Sequence, residues 1–244
     1  MVTTPHEGSH PVVSARAGAN RARDFAAQKF SIAAGVVPKP KLRGWIHLVA
    51  FPSAMIAGLI LVALGGSLAA RLSTVVFIAT AGLLFGVSAT YHRGTWAPKR
   101  ALMLKRFDHA NIFMIIAGTY TPIAVSLLNR HDATVLLSVA WAGAALGVAF
   151  RLLWTGAPRW LYVPAYVALG WVAVLYMPQL HAGGGWPVVG LLIGGGIAYT
   201  LGAVVYGLKR PDPVPEVFGF HEIFHSFTVI GFVCHLIAVW ISVV

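Results

Sequence analysis

Charge is what this chain has least of. Only 10% of its 244 residues are Asp, Glu, Lys or Arg, against about 25% in a soluble domain. A surface that poor in charge cannot be kept in water. With 58% of the residues hydrophobic, the exterior of the fold is expected to lie in lipid. Cysteine is nearly missing too: Cys234 stands alone, so no internal disulfide forms. Acidic residues number 7 against 18 basic ones, for a net charge of +11. The basic surplus is spread over an N-terminal tail and short joints rather than gathered on one folded face. That argues against a nucleic-acid binder and for topology-setting charge beside anionic lipid headgroups. Residues 1–43 hold no apolar core of the signal-peptide kind, so the first apolar run is expected to be a span, not a cleaved leader.

What is present is a series of apolar runs. They cover 44–64, 72–92, 107–128, 133–154, 160–178, 187–207 and 219–243. Each is about 20 residues or slightly more, enough to cross a hydrocarbon core of roughly 30 Å. The joints between them carry Gly, Pro, Asn, Asp and basic residues, as turns do. The expected fold is all-α: a seven-transmembrane helix bundle over 41–244, preceded by a basic, mostly disordered tail over 1–40. A basic surface helix over Ala15–Phe30 is a weaker expectation for that tail.

The basic residues also orient the bundle. With the N-terminus in the cytoplasm, only Arg71 and Arg130 of the 18 fall on the outer side. The C-terminus is then outside. Gly82 with Gly86, Gly143 with Gly147, and Gly190 with Gly194 form Gly-x-x-x-Gly pairs, which let helix backbones approach closely. Pro122 is expected to kink the third span.

Polar and ionisable groups inside spans are costly and ask for a partner or a role. Here they are few, and the topology sorts them. Ser88 and His92 end the second span. Asp108 and His109 begin the third. His221, Glu222 and His225 begin the seventh. All are expected at one depth, in the inner half of the bilayer. Ser88 and His92 share one helix face, as do His221 and His225. A histidine pair so spaced can chelate a cation, and His92 would supply a third imidazole if the second and seventh spans are neighbours. Three histidines with an open water position is a catalytic zinc arrangement, though copper, iron and nickel also suit imidazole. Plain hydrogen bonding between histidines near the headgroups is the alternative.

His221-Glu222-Ile223-Phe224-His225 also fits the His-Glu-x-x-His pattern of zinc proteases, with Glu222 as base. A protease would need a further ligand downstream. No acidic residue follows Glu222, and Thr228 and Gly231 stand where the longer pattern needs Gly and His. Glu222 is therefore expected to be an interfacial charge. His109 is read as interfacial, with a supporting role behind the ligands as the alternative. His47 lies on the inner side of the first span, with a supporting role behind the ligands as one reading. His235, ten residues beyond His225, lies roughly 15 Å along the helix and cannot share the metal; it and Cys234 are expected to be polar contacts in the outer half.

These segments resemble the bacterial hemolysin III branch of the progestin and adipoQ receptor family. The resemblance rests on Ser88-Ala89-Thr90-Tyr91-His92, on Phe107-Asp108-His109-Ala110 continuing to Ala117-Gly118-Thr119-Tyr120-Thr121-Pro122, and on His221-Glu222-Ile223-Phe224-His225 followed by Cys234-His235. It covers about 40–244. It implies a zinc ion on His92, His221 and His225 near the cytoplasmic face, with Ser88 and Asp108 as the accompanying serine and aspartate. Alkaline ceramidases, which hydrolyse a lipid amide, are similar at the same positions. The chain departs from its relatives in reading Lys39-Pro40-Lys41-Leu42-Arg43 before the first span, where an acidic residue is common, and in the length of its basic tail.

The expectation that follows is a zinc-dependent hydrolase of lipid amide or ester bonds. Asp108 would act as base or orient the water, Ser88 would donate a hydrogen bond, and the lipid would enter sideways from the bilayer. The protein is expected in the bacterial plasma membrane, with lipid and no nucleic acid as partner. The competing expectations are a receptor-like regulator of membrane lipid state with structural zinc, and a haemolytic pore. A pore should carry a polar stripe through whole spans, and an ion-coupled transporter should carry ionisable groups near the midplane; neither pattern is evident.

Overall fold

Apolar runs this long leave the backbone one way to satisfy its hydrogen bonds in lipid, which is within each segment. The computed structural model describes residues 39–244, and helices account for most of them. The tail and its expected surface helix fall outside the described residues. The helices are α1 (Trp45–Leu64), α2 (Leu68–Arg93), α3 (Pro98–Leu127), α4 (Arg130–Leu153), α5 (Arg159–Gly170), α6 (Met177–Leu208) and α7 (Phe220–Val243), with a 3-10 turn at Val172–Tyr176 between α5 and α6. Among the described residues the one β-type pairing is an isolated bridge between Val214 and Phe218.

Among the described residues six stretches are long and apolar enough to cross a membrane, and one of them is the whole of Arg159–Leu208, 50 residues. At 1.5 Å per residue that stretch is about 75 Å, more than twice the hydrocarbon thickness. It folds back on itself. Gly185 takes φ 70° and ψ −175°, which breaks the helix and which glycine adopts without a Cβ clash. Beyond the break the two limbs run antiparallel: Arg159 Nη1 donates to the Tyr206 carbonyl at 3.1 Å, and Trp171 Nε1 donates to Thr200 Oγ1 at 2.9 Å. The bundle therefore makes seven passes.

Two boundaries differ from the sequence expectation. The joint expected from His181 to Trp186 is helical except at Gly185. α3 starts at Pro98, nine residues before its apolar run. Lys99, Arg100, Lys105 and Arg106 end the hydropathy signal but do not stop a helix, and proline is tolerated in a first turn because its missing N–H has no helical partner there.

α3 is the hub of the bundle. It packs against α2, α4, α5, α6 and α7, while α1 bridges α2 and α7. Small residues set these approaches, since lipid supplies no hydrophobic drive between helices. Gly82 and Gly86 of α2 sit against Met55 and Phe51 of α1, and Gly147 of α4 lies against the Phe113 ring of α3. The pair Gly190 and Gly194, expected to pack likewise, faces open space; on α6 the close approaches are at Gly183, Gly184, Gly195 and Gly202. A close contact with little freedom to relax is at Gly118 on α3. A Cβ there would stand 2.0 Å from Thr80 Oγ1 and 2.8 Å from Thr80 Cβ on α2. Because the second atom is next to the backbone, a rotamer change does not relieve the clash. Gly118→Ala is expected to cost about 1–3 kcal/mol, read as a lower thermal midpoint in detergent. Gly190→Ala, with nothing within 4 Å of its Cβ position, is the control and should not lower it.

The starts of α1 and α7 are tied together. Lys41 N–H donates to the Glu216 carbonyl at 2.9 Å and Leu42 N–H to the Val217 carbonyl at 3.2 Å. α2 ends at the same place. Gly44, with φ 81°, lets the entry to α1 pass within 2.8 Å (measured from its would-be Cβ) of the His92 Cβ.

Candidate metal centre

That convergence brings three imidazoles together. His92 sits in the last turn of α2, ahead of Gly94, whose N–H caps the helix on the Thr90 carbonyl. His221 and His225 lie one turn apart on the first turns of α7, with ring centroids 4.5 Å apart. One ligand atom from each of the three lies within 4.8 Å of the others. The Nε2 atoms of His92 and His221 face each other at 3.2 Å. Two nitrogens bound at about 2.0–2.1 Å in tetrahedral geometry stand roughly 3.3 Å apart, so the His92–His221 pair has the spacing of two ligands of one ion, with His225 close by.

Asp108, from the third turn of α3, approaches the same side. Its Oδ2 lies 3.6 Å from His92 Nε2, the nitrogen that faces His221. The carboxylate therefore meets the ligating face of His92 and does not buttress the ring from behind. Ser88 lies one turn before His92 and borders the Asp108 carboxylate. Ser88, Asp108, His221 and His225 all line a cavity of about 110 Å³, which continues between α3, α5 and α6 along Ile112, Ile116 and Trp171. All five residues singled out for the site are thus gathered at one end of the bundle.

Three neighbours matter more than their sequence positions suggested. His47 of α1 is 2% exposed, and its ring stacks on His225 at 3.8 Å between centroids. Both of its ring nitrogens are buried without a protein partner. The first-span position of His47 was a signal for this, but the stacking was not legible.

Glu222 is not an interfacial charge. It is 2% exposed. Its Oε1 accepts from Arg43 Nε at 2.5 Å and its Oε2 accepts from the Gly219 N–H at 2.9 Å. It caps α7 and pins it to the entry of α1, with both oxygens turned to structural partners. The spacing Gly219 to Glu222 at a helix start was the missed signal, since an acid at that position reaches back to the cap. Glu222→Gln is expected to cost roughly 1–3 kcal/mol by leaving Arg43 without its anion, while the metal content measured by elemental analysis stays at the wild-type level. Loss of metal in that variant would assign Glu222 to the centre instead.

His109 is not interfacial either. It is buried, with Arg151 Nη2 2.5 Å from its Nδ1. Arg151, expected only as a topology-setting loop charge, is 1% exposed at the end of α4, and its guanidinium carbon lies 4.2 Å from the Tyr162 ring centroid. His235 stands apart, as expected, with Nε2 3.2 Å from the Leu192 carbonyl. It nonetheless lines the far end of the same cavity.

The family model described as Haemolysin-III related matches residues 36–236. Among characterised proteins, the chain is 30% identical over 149 residues to "Hemolysin-3 homolog" of Bacillus subtilis (strain 168), covering 61% of this chain and 67% of that protein. It is 27% identical over 141 residues to "Hemolysin-3" of Bacillus cereus, covering 58% of this chain and 64% of that protein. It is 29% identical over 193 residues to "Heptahelical transmembrane protein ADIPOR2" of Oryza sativa subsp. japonica, covering 72% of this chain and 83% of that protein. The chain spans about two thirds of the length of the two bacillar relatives.

Proposed function

The chain belongs to the haemolysin-III related family, the hemolysin III branch of the progestin and adipoQ receptors, and from that premise we propose that it is a zinc-dependent hydrolase of lipid amide or ester bonds. The observation that carries this is the Asp108 carboxylate on the ligating side of a three-histidine cluster, at the mouth of a largely apolar cavity. His92, His221 and His225 would hold the ion. Zinc bound there supplies Lewis acidity, which activates water near neutral pH and polarises a carbonyl.

The rest is the work of the chain's own residues. Asp108 takes a proton from the attacking water as its oxygen bonds to the carbonyl carbon. The same proton then goes to the leaving nitrogen or oxygen as the C–N or C–O bond breaks, giving a carboxylic acid and an amine or alcohol. Ser88 donates to the carboxylate or to the developing oxyanion. The apolar walls of the cavity take the acyl chain, which enters from the bilayer. With the basic residues on the cytoplasmic side the centre opens toward the cytoplasm.

The test is elemental analysis of the purified full-length protein together with a panel of N-acyl and O-acyl lipids. Zinc near one equivalent and metal-dependent release of fatty acid are expected. Metal-free protein with the fold intact, or no turnover of any acyl lipid by the zinc-loaded protein, overturns the reading.

A second reading has its own observation. At 3.6 Å from His92 Nε2, Asp108 is close enough to move in as a fourth ligand. That would close the sphere and make the metal structural, as in a non-enzymatic regulator of membrane lipid state. The two readings part on the Asp108 variant discussed below.

A further inference from the structure

We propose that Arg151, His109, Tyr206 and Tyr162 form a one-way chain of hydrogen bonds that ends in the cavity as a donor subsite for an oxygen of a bound lipid. It rests on the lipid reading of the cavity but not on catalysis.

The direction follows from what each group can do. A guanidinium has only donors. With Arg151 Nη2 2.5 Å from His109 Nδ1, that nitrogen must be the acceptor. His109 is then the neutral tautomer that carries its proton on Nε2. Nε2 lies 3.5 Å from the Tyr206 hydroxyl, a long bond in which His109 is the donor. The Tyr206 oxygen, accepting from His109, turns its own proton onward. The Tyr162 hydroxyl is 3.3 Å away. Whichever phenol donates to the other, one O–H is left over. His109, Tyr162 and Tyr206 all line the cavity, so the leftover proton has the cavity to point into.

The surroundings favour a negative or strongly accepting oxygen there. Arg151 is buried with no carboxylate bonded to it among the described residues; its partners are His109, the Trp154 carbonyl and the Tyr162 ring. Arg159 lies 4.5 Å from the Tyr206 ring centroid and donates to the Tyr206 carbonyl. Each phenol thus has a guanidinium against its ring, which polarises its O–H. Tyr166 completes the frame by donating to the His109 carbonyl at 3.0 Å, holding that turn of α3. The subsite adjoins the metal centre across Tyr206, whose ring centroid is 5.8 Å from that of His221. A lipid carbonyl or carboxylate oxygen would be held there, with its chain along the apolar wall. His109 and the two tyrosines are binding residues, and Arg151 is a positioning residue that acts through His109.

Two measurements on the full-length protein in nanodiscs test this. The first is the nitrogen-15 spectrum of histidine-labelled protein, with the His109 signals identified by their loss in His109→Gln. A bare Nδ1 and a protonated Nε2 are expected in the wild type and in Arg151→Lys, with a mixture of tautomers in Arg151→Met. Protonation of Nδ1 in the wild type overturns the chain. The second is equilibrium binding of three radiolabelled probes of one chain length: palmitate, N-palmitoyl ethanolamine and hexadecane. The double variant Tyr162→Phe with Tyr206→Phe, which removes both phenol donors, should weaken the oxygen-bearing probes by about tenfold and leave hexadecane unchanged. A loss confined to palmitate identifies an anion subsite, and a loss shared by the amide identifies a carbonyl subsite. Equal weakening of hexadecane, or no weakening of either oxygen-bearing probe, overturns the subsite. Neither readout needs turnover. A failed hydrolysis assay therefore leaves the subsite standing, and a failed binding assay leaves the hydrolase reading standing.

Discussion

Replacing His225 by alanine is expected to empty the metal centre and abolish lipid hydrolysis while the bundle stays folded. The three imidazoles come from only two helices, and two of them from consecutive turns of α7. Removing His225 leaves His92 and His221, whose facing Nε2 atoms cannot complete a zinc site. Loss of partners that merely support a ligand already lowers metal affinity by about 10–100-fold, so loss of a ligand should exceed about 100-fold. Elemental analysis after dialysis would show the wild type near one equivalent and the variant near none. The fold should tolerate the change, because α7 is capped by Gly219 and Glu222 and tied to the α1 entry by Arg43. His47, which stacks on His225, would lose a ring contact, so a modest drop in thermal midpoint accompanies the loss. Retention of a full equivalent of zinc by His225→Ala would remove the centre as drawn.

Asp108→Asn separates the two readings of that centre. Asparagine keeps the shape of the carboxylate and much of its hydrogen bonding but cannot take a proton. If Asp108 is the base, hydrolysis falls by about 10²–10⁴-fold and the zinc content does not change. If Asp108 is a fourth ligand, zinc is lost from the variant and the wild type turns over no lipid. The two outcomes are read on one preparation, by metal analysis and by release of fatty acid. Ser88→Ala should follow Asp108→Asn in direction with a smaller loss, since Ser88 borders the carboxylate and does not itself carry the proton.

Much of the site was legible before the structure, for a reason particular to membrane proteins. A polar residue inside an apolar run is conspicuous, and the alternation of passes assigns it a depth. Ser88, His92, Asp108, His221 and His225 were each visible in that way. The residues misread were those whose chemistry looked ordinary at the end of a span. Glu222 and Arg151 both sit where an interfacial charge is expected, and both prove buried, one against Arg43 and the other against His109. The glycine pairs divided similarly: spacing alone does not distinguish the faces at Gly82 and Gly147, which meet a neighbour, from the face at Gly190, which does not.

Composition and hydropathy were enough to determine an all-helical membrane bundle, because lipid admits no other way to satisfy the backbone of such runs. They were enough, too, to place five polar residues at one depth. Depth is a coordinate along the membrane normal. Which helices stand side by side is a matter of the other two coordinates, and those are decided by packing across helix faces: Gly118 against Thr80, Gly44 against His92, the hairpin at Gly185. Only that packing set α2 beside α7, turned Asp108 to the ligating side of His92, and drove Arg151 into the core behind His109.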